Sequence, residues 1–240
     1  MRWIPFIIFI IIVQWYAFQA IKTITQNKFW WAIYALVVGI ILGGVLWQTL
    51  NFDRTVGWTP IVAYSLGMFV ALLSGQLLMI CLLFLEDLSR GASSLLHFFT
   101  SDQKIHFPQR RKFVSQMAIA LGAIPFSSLL YGMYKGRYNY RVLNYTLEYE
   151  NLPDGFDGFQ ITQISDLHCG SFDNTKKVAY GLDLIDKQKS DLVLFTGDMV
   201  NNKANEARPW VEFIAKIKAP YGKFSVLGNH DYGDYSDWEN

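Results

Sequence analysis

An aspartate and a histidine two residues apart, Asp166 and His168, stand near the end of residues 160–170, and two further polar clusters follow: Gly197-Asp198 and Gly228-Asn229-His230-Asp231. Carboxylate, imidazole and carboxamide are the donors of a mixed nitrogen and oxygen metal site, which suits Mn, Fe or Zn rather than calcium. In extended chain an i, i+2 pair projects to one side, so Asp166 and His168 share a face. On its own, an Asp-x-His triplet also reads as a strand-end aspartate capping a turn beside a hydrogen-bonded histidine. What raises it above chance is that each downstream cluster also closes an apolar run. Two ions roughly 3.5–4 Å apart in such a site can grip a phosphoryl group, activate a water between them and stabilise the leaving oxygen.

For these clusters to meet, the runs before them must be parallel strands. Residues 159–164, 191–195 and 223–227 have the length and apolar character of strands, the second reading as the continuous run of a sheet covered on both faces. Between the first two, Asp173, Asn174 and Thr175 are cap candidates for a helix with Val178, Leu182 and Ile185 on one face. Trp210, Phe213, Ile214 and Ile217 mark a second helix, which gives the order β-α-β-α-β. His168 lies 30 residues before Asp198, and Asp198 lies 32 before His230, each interval fitting one helix and one return strand. At the carboxyl edge of an open α/β sheet the loops converge on one crevice. Upstream, Leu143, Tyr145, Leu147 and Tyr149 alternate with polar residues before a Pro153-Asp154-Gly155 turn, which predicts a half-buried edge strand paired in a hairpin.

The first part of the chain is of a different kind. Residues 1–140 hold 11 Lys and Arg against 4 Asp and Glu, whereas residues 141–240 hold 10 against 16. Overall the sequence is 52% hydrophobic and only 17% charged, and its apolar excess falls in four runs: residues 3–21, 29–50, 61–85 and 113–134. Each is long enough to cross a bilayer as a helix. The first lacks the small-x-small cleavage pattern of a signal peptide and reads as a retained span. Small residues at four-residue intervals (Gly39 and Gly43; Gly67, Ala71 and Gly75; Ala118 and Gly122) predict close helix packing. None of the runs contains an ionisable residue with a charge at stake, which argues against ion or proton transport and for an anchor. The fold class expected is thus a four-span membrane helical bundle, residues 1–140, followed by an α/β domain, residues 141–240, after a linker at 136–140. If the first and third loops share a side, that side has seven basic residues (Lys22, Lys28, Arg90, Lys104, Arg110, Arg111 and Lys112) against five opposite (Arg2, Arg54, Lys135, Arg137 and Arg141), which favours an external soluble domain. Leu95, Leu96, Phe98 and Phe99 suggest an interfacial segment in the third loop. The acidic half has no basic stripe for nucleic acid. Cys81 in a span and Cys169 beside His168 make no disulfide framework.

Taken in order after successive strands, Asp-x-His, Gly-Asp and Gly-Asn-His-Asp resemble the calcineurin-like metallophosphoesterase superfamily over residues 160–231. The segment from Arg141, with Phe156-Asp157-Gly158-Phe159, is similar to its membrane-anchored bacterial branch. That resemblance implies a bacterial inner-membrane hydrolase with two divalent ions, Mn, Fe or Zn. It implies that Asp166 and His168 bind the first ion, that Asp198 bridges both and that Asn229 binds the second. His230 would face the substrate phosphate as acid or charge stabiliser, with Asp231 orienting its ring. Substrates implied are phosphate or pyrophosphate esters, lipid-linked ones such as nucleotide-linked lipid A precursors among them. The family pattern has later histidines that this sequence lacks, since His97 and His106 fall in the third loop. We therefore expect an α/β domain incomplete at its C-terminus, an exposed last strand, at most one well-bound metal and negligible turnover by these residues alone. The alternative is a membrane-bound binding or sensory protein with a non-catalytic domain of the same fold.

Overall fold

The computed structural model describes residues 3–53, 59–100 and 108–235. Arg2, Arg54, Lys104 and His106 lie outside them, as do the side chains of His97 and Phe98. The chain forms two compact units, one of Met1–Thr49 with Ser65–Tyr134, the other of Leu50–Tyr64 with Lys135–Asn240.

Four helices, α1 (Ile4–Ile24), α2 (Lys28–Leu50), α3 (Pro60–Thr100) and α4 (Pro108–Tyr134), correspond to the four apolar runs, and all are long and apolar enough to cross a bilayer. At 1.5 Å per residue the 41 residues of α3 extend about 60 Å, twice the hydrocarbon thickness. The segment 95–99, expected as a separate interfacial piece, is the continuation of this helix. No proline interrupts residues 86–100 and a lone Gly91 costs only about 1 kcal/mol, so helix propagation wins. Of the small-residue faces, Gly75 and Gly122 bring α3 and α4 into backbone contact: a Cβ on either would lie 2.6–2.7 Å from the other's carbonyl oxygen. A Cβ at Gly39 or Gly43 would meet no atom of another element within 4 Å among the described residues, so these two glycines do not serve a close helix approach here.

Several polar side chains of the bundle pair with one another. Gln14 and Gln76 exchange hydrogen bonds through their side-chain amides at 2.8 and 2.7 Å, and the Gln76 amide approaches the Tyr34 hydroxyl at 2.8 Å. Just past the expected end of the third span, Arg111 pairs with buried Glu86 at 2.6 Å and with Asp87 at 2.7 Å, while Arg90 and the Tyr16 hydroxyl also donate to Asp87.

In the second unit β1 (Ile161–Ile164), β2 (Leu192–Phe195) and β3 (Lys223–Ser225) form a parallel sheet in the order β1-β2-β3. Ile164 pairs with Phe195 and Phe195 with Ser225, so the three strands end at nearly one level. The connection β1–β2 contains α5 (Thr175–Asp186), whose N-cap is Asn174: its carboxamide accepts from the Lys177 amide at 3.1 Å. α6 (Val211–Ala215) follows β2 and is a single short turn. Val178, Trp210, Cys169 and Tyr138 make the core beneath the sheet, with Tyr140 packed against it. Residues 136–140, expected as a linker, therefore pack within this unit. Asp173 holds them there, accepting hydrogen bonds from Arg137 and from Tyr138 at 2.6 Å. Burial opposes ionisation of Asp173, but hydrogen bonds from Tyr138, Tyr64 and Arg137 outweigh it and bring its carboxyl down to about 2.

One expected strand is absent. Residues 141–149 carry no regular secondary structure, and Leu143, Tyr145, Leu147 and Tyr149 are all more than 60% exposed. Alternation alone does not make a strand; the backbone must find a ladder partner, and none of the three described strands pairs with this segment. The edge strand β3 is exposed along its length, as expected, with Phe224, Val226 and Leu227 open to solvent.

Candidate metal centre

Hydrogen bonding does not stop where the strands do. Past β1 and β2 the two loops remain paired: Thr196 N–H donates to Ile164 at 2.9 Å, Asp166 N–H to Gly197 at 3.0 Å, His168 N–H to Asp198 at 3.0 Å and Cys169 N–H to Met199 at 2.9 Å. Holding this register while turning the side chains inward requires left-handed backbone at three non-glycine residues, Asp166 (φ 54°), His168 (φ 46°) and Asp198 (φ 58°). Such conformations cost roughly 1–3 kcal/mol each and persist only where surrounding contacts fix them. All three are residues singled out from the sequence as ligands.

The β2 and β3 loops touch through two glycines. A Cβ on Gly197 would collide with the Gly228 backbone, and a Cβ on Gly228 would collide with Asp198. Only glycine at both positions allows the approach that puts the His230 N–H 2.8 Å from Asp198 Oδ1.

The resulting geometry brings Asp166, His168, Asp198 and His230 together. His168 Nε2 lies 3.9 Å from Asp166 Oδ1 and 3.8 Å from Asp198 Oδ2. One ligand atom from each of His168, Asp198 and His230 falls within 4.8 Å of the others, and the two imidazole rings are 4.7 Å apart. These separations are too long for direct hydrogen bonds. The 3.8 and 3.9 Å separations fit nitrogen and oxygen donors arranged about a common ion at about 2.0–2.2 Å. Asp198 is buried, 8% exposed, while Asp166 is open.

Two predicted residues are placed differently from the rest. Asn229 lies in the same turn, with its amide 3.2 Å from the Tyr235 hydroxyl. Asp231 does not orient the His230 ring. Its carboxylate instead accepts the backbone N–H groups of Asp198 (2.7 Å), Met199 (2.8 Å), Val200 (3.3 Å) and Gly228 (2.9 Å), clamping the β2 and β3 loops together. Burial raises the cost of its charge, and these N–H groups outweigh that cost and hold its carboxyl below the usual carboxylate value. The reason for the difference is competition: four converging amide donors satisfy a carboxylate better than one imidazole.

His230 is oriented by a residue that the sequence did not single out. Its Nδ1 lies 2.7 Å from the carbonyl oxygen of Asn201, which assigns the proton to Nδ1 and leaves Nε2 as the free ring nitrogen. Asn201 is in turn held by Glu206, whose carboxylate accepts the Asn201 N–H at 2.6 Å and the Lys203 N–H at 3.2 Å. An incomplete capping-box spacing, Lys203 to Glu206, was the one signal available. Cys169 beside the site is buried against Met199; burial, aided by Glu206, pushes its thiol up to about 11, so it is no thiolate at neutral pH.

Comparison with known proteins finds matches to both parts of the chain. Residues 1–137 match the family model described as the transmembrane domain of probable calcineurin-like phosphoesterases, and residues 159–240 match the calcineurin-like phosphoesterase domain itself. The chain belongs to the calcineurin-like phosphoesterases. It is 32% identical over 131 residues to an uncharacterized metallophosphoesterase, YkuE, of Bacillus subtilis, covering 52% of this chain and 46% of that protein. A transmembrane protein with metallophosphoesterase domain from Danio rerio is 24% identical over 215 residues, 88% of this chain and 47% of its own. UDP-2,3-diacylglucosamine pyrophosphatase LpxG of Chlamydia trachomatis is 36% identical over 89 residues, 35% of this chain and 27% of its own. The chain spans less than half the length of each of these relatives. No solved structure gives a significant match. Calcineurin-like phosphoesterases bind divalent metals, and the ligand group at the strand ends is of that type. With its four apolar helices, this phosphoesterase is a multi-pass membrane protein.

Proposed function

We propose that this phosphoesterase hydrolyses a phosphate or pyrophosphate ester, with a lipid-linked pyrophosphate as the substrate class. The observation that supports hydrolysis is the convergence of Asp166, His168, Asp198 and His230, without direct bonds among the last three side chains, on one strained edge of the sheet. A lipid-linked substrate is supported by the membrane anchor, which keeps the site near the bilayer, and by the name of the chlamydial relative, a UDP-2,3-diacylglucosamine pyrophosphatase.

In this reading two divalent ions, Mn, Fe or Zn, are the cofactors, held by Asp166 and His168, by Asp198 between them, and by Asn229. When bound, they would polarise the phosphoryl oxygens and make an attacking hydroxide available at neutral pH. The protein's own groups do the positioning. Asn201 fixes the His230 proton on Nδ1, so that Nε2, once protonated, can donate to the leaving oxygen. Asp231 keeps the two loops at the separation that this requires. The basic balance of the loops supports a soluble domain external to a bacterial inner membrane.

The test is hydrolysis of bis(p-nitrophenyl) phosphate and of a lipid-linked pyrophosphate by the natural protein, purified with its membrane region and supplied with Mn²⁺. Turnover should vanish on chelation and return with metal. His230→Ala should keep its metal and lose roughly 10²–10⁴ in kcat. Loss of metal in that variant would make His230 a ligand instead. No hydrolysis with Mn²⁺, Fe²⁺ or Zn²⁺ would leave a non-catalytic binding protein as the better account.

A further inference from the structure

Within the helical unit a groove of about 350 Å³ is lined by Ile21, Ile24, Trp30, Ile33, Val37 and Ile119, side chains of α1, α2 and α4. Its volume lies in the range of small-molecule sites, roughly 300–1,000 Å³. Its walls are almost wholly apolar, so the occupant they suit is a hydrocarbon chain.

Two lysines border the lining residues along the chain, and a basic border favours an anionic lipid. Lys22 follows lining residue Ile21, and Lys28 opens α2 two residues before lining residue Trp30. The Lys22 ammonium stands 5.5 Å from the ring centroids of both Phe18 and Trp31, held by aromatic faces rather than by an acid. The described carboxylates of this unit, Glu86 and Asp87, are already engaged by Arg111 and Arg90. Among the described residues no carboxylate pairs with Lys22 or Lys28.

We propose that this groove binds one anionic phospholipid, its acyl chain along Ile33, Val37 and Ile119 and its phosphate at Lys22 and Lys28. Trp30 and Trp31, near the start of α2, are of the residue type enriched where membrane helices meet lipid headgroups. Binding here is independent of the hydrolytic site and of its metals.

The chain is reconstituted in nanodiscs of equal parts dioleoyl phosphatidylglycerol and dioleoyl phosphatidylcholine, re-extracted in mild detergent and weighed by native mass spectrometry. One phosphatidylglycerol should remain per chain in preference to phosphatidylcholine. Each of Lys22→Gln and Lys28→Gln should reduce that preference about fivefold. Both lysines are exposed, so these substitutions leave the helices intact. Val37→Trp or Ile119→Phe, which fill the groove, should lose the retained lipid. Equal retention of the two lipids by the unaltered chain, an unchanged preference in the double lysine variant, or a dimer in place of the lipid adduct would each overturn the proposal.

Discussion

Two sets of polar side chains in the helical bundle, Gln14 with Gln76 and Tyr34, and Arg111 with Glu86, bond to one another, whereas the side chains of His168, Asp198 and His230 at the strand ends stop just short of doing so. Gln14, Gln76 and Tyr34 close their hydrogen bonds at 2.7–2.8 Å, and Arg111 reaches Glu86 at 2.6 Å. His168, by contrast, stands 3.8 and 3.9 Å from its two carboxylates. Buried polar groups normally find partners. A set already satisfied internally holds helices together and offers nothing to a ligand. A set gathered by strained backbone but left at ligand spacing is arranged for something else to complete it. Substitutions in the first region should therefore change stability alone, and those in the second should change metal binding at the proposed ligands or turnover at His230.

Arg111→Ala should give the largest stability effect, since it strands the buried carboxylate of Glu86 and leaves Asp87 with Arg90 and Tyr16 alone; a loss of about 3 kcal/mol or more is expected in thermal unfolding in detergent, with Mn²⁺ affinity unchanged. A fall in metal affinity would break the separation. Asp231→Ala sits between the regions in character. It removes the acceptor shared by loop amides and should cost about 2–3 kcal/mol, read as lost hydrogen-exchange protection at Asp198 and Met199. Unchanged protection there would mean the clamp is incidental.

Glu206→Ala should sharpen the comparison, because Glu206 touches no ligand and acts through Asn201 and His230. Because His230 is proposed to act on the leaving oxygen and not as a ligand, its misorientation should lower kcat roughly tenfold and leave Mn²⁺ affinity unchanged. Steady-state kinetics beside a calorimetric Mn²⁺ titration would show it, a fall in Mn²⁺ affinity contradicting that role, and Glu206→Gln, which keeps one acceptor, should be milder. The smallest effect belongs to Asp173, whose folded-state value of about 2 lies below the ordinary carboxylate value of 3.8. Its contribution is present above the ordinary value and disappears as pH falls through about 2. Asp173→Asn should thus cost less than about 1 kcal/mol at neutral pH and nothing at the acid end, as a pH series of melting curves would reveal.

Most of this arrangement was legible in the sequence because it rests on local signals. Four long apolar runs can only be spans, and three apolar runs each closed by polar residues at intervals of 30 and 32 can only be parallel strands sharing an edge. What was not legible depends on partners distant in sequence. Residues 143–149 alternate as a strand should, yet no described strand takes up their hydrogen bonds. The placement of Asp231 against loop amides, rather than the His230 ring, is decided by where four N–H groups converge. Asn201 serves through its carbonyl, which every residue has, so its side chain gave no sign.

The most direct test of the central claim is the Mn²⁺ affinity of the chain beside that of Asp198→Asn, measured with the thermal unfolding of both. Asp198 is the buried carboxylate at the centre of the group, and its amide replacement keeps the hydrogen bond from the His230 N–H. The account predicts that the variant loses metal affinity by about 100-fold or more, beyond the outer-shell range, with little change in melting temperature. Metal binding equal to that of the unaltered chain, or an affinity loss matched by unfolding of the domain, would contradict it.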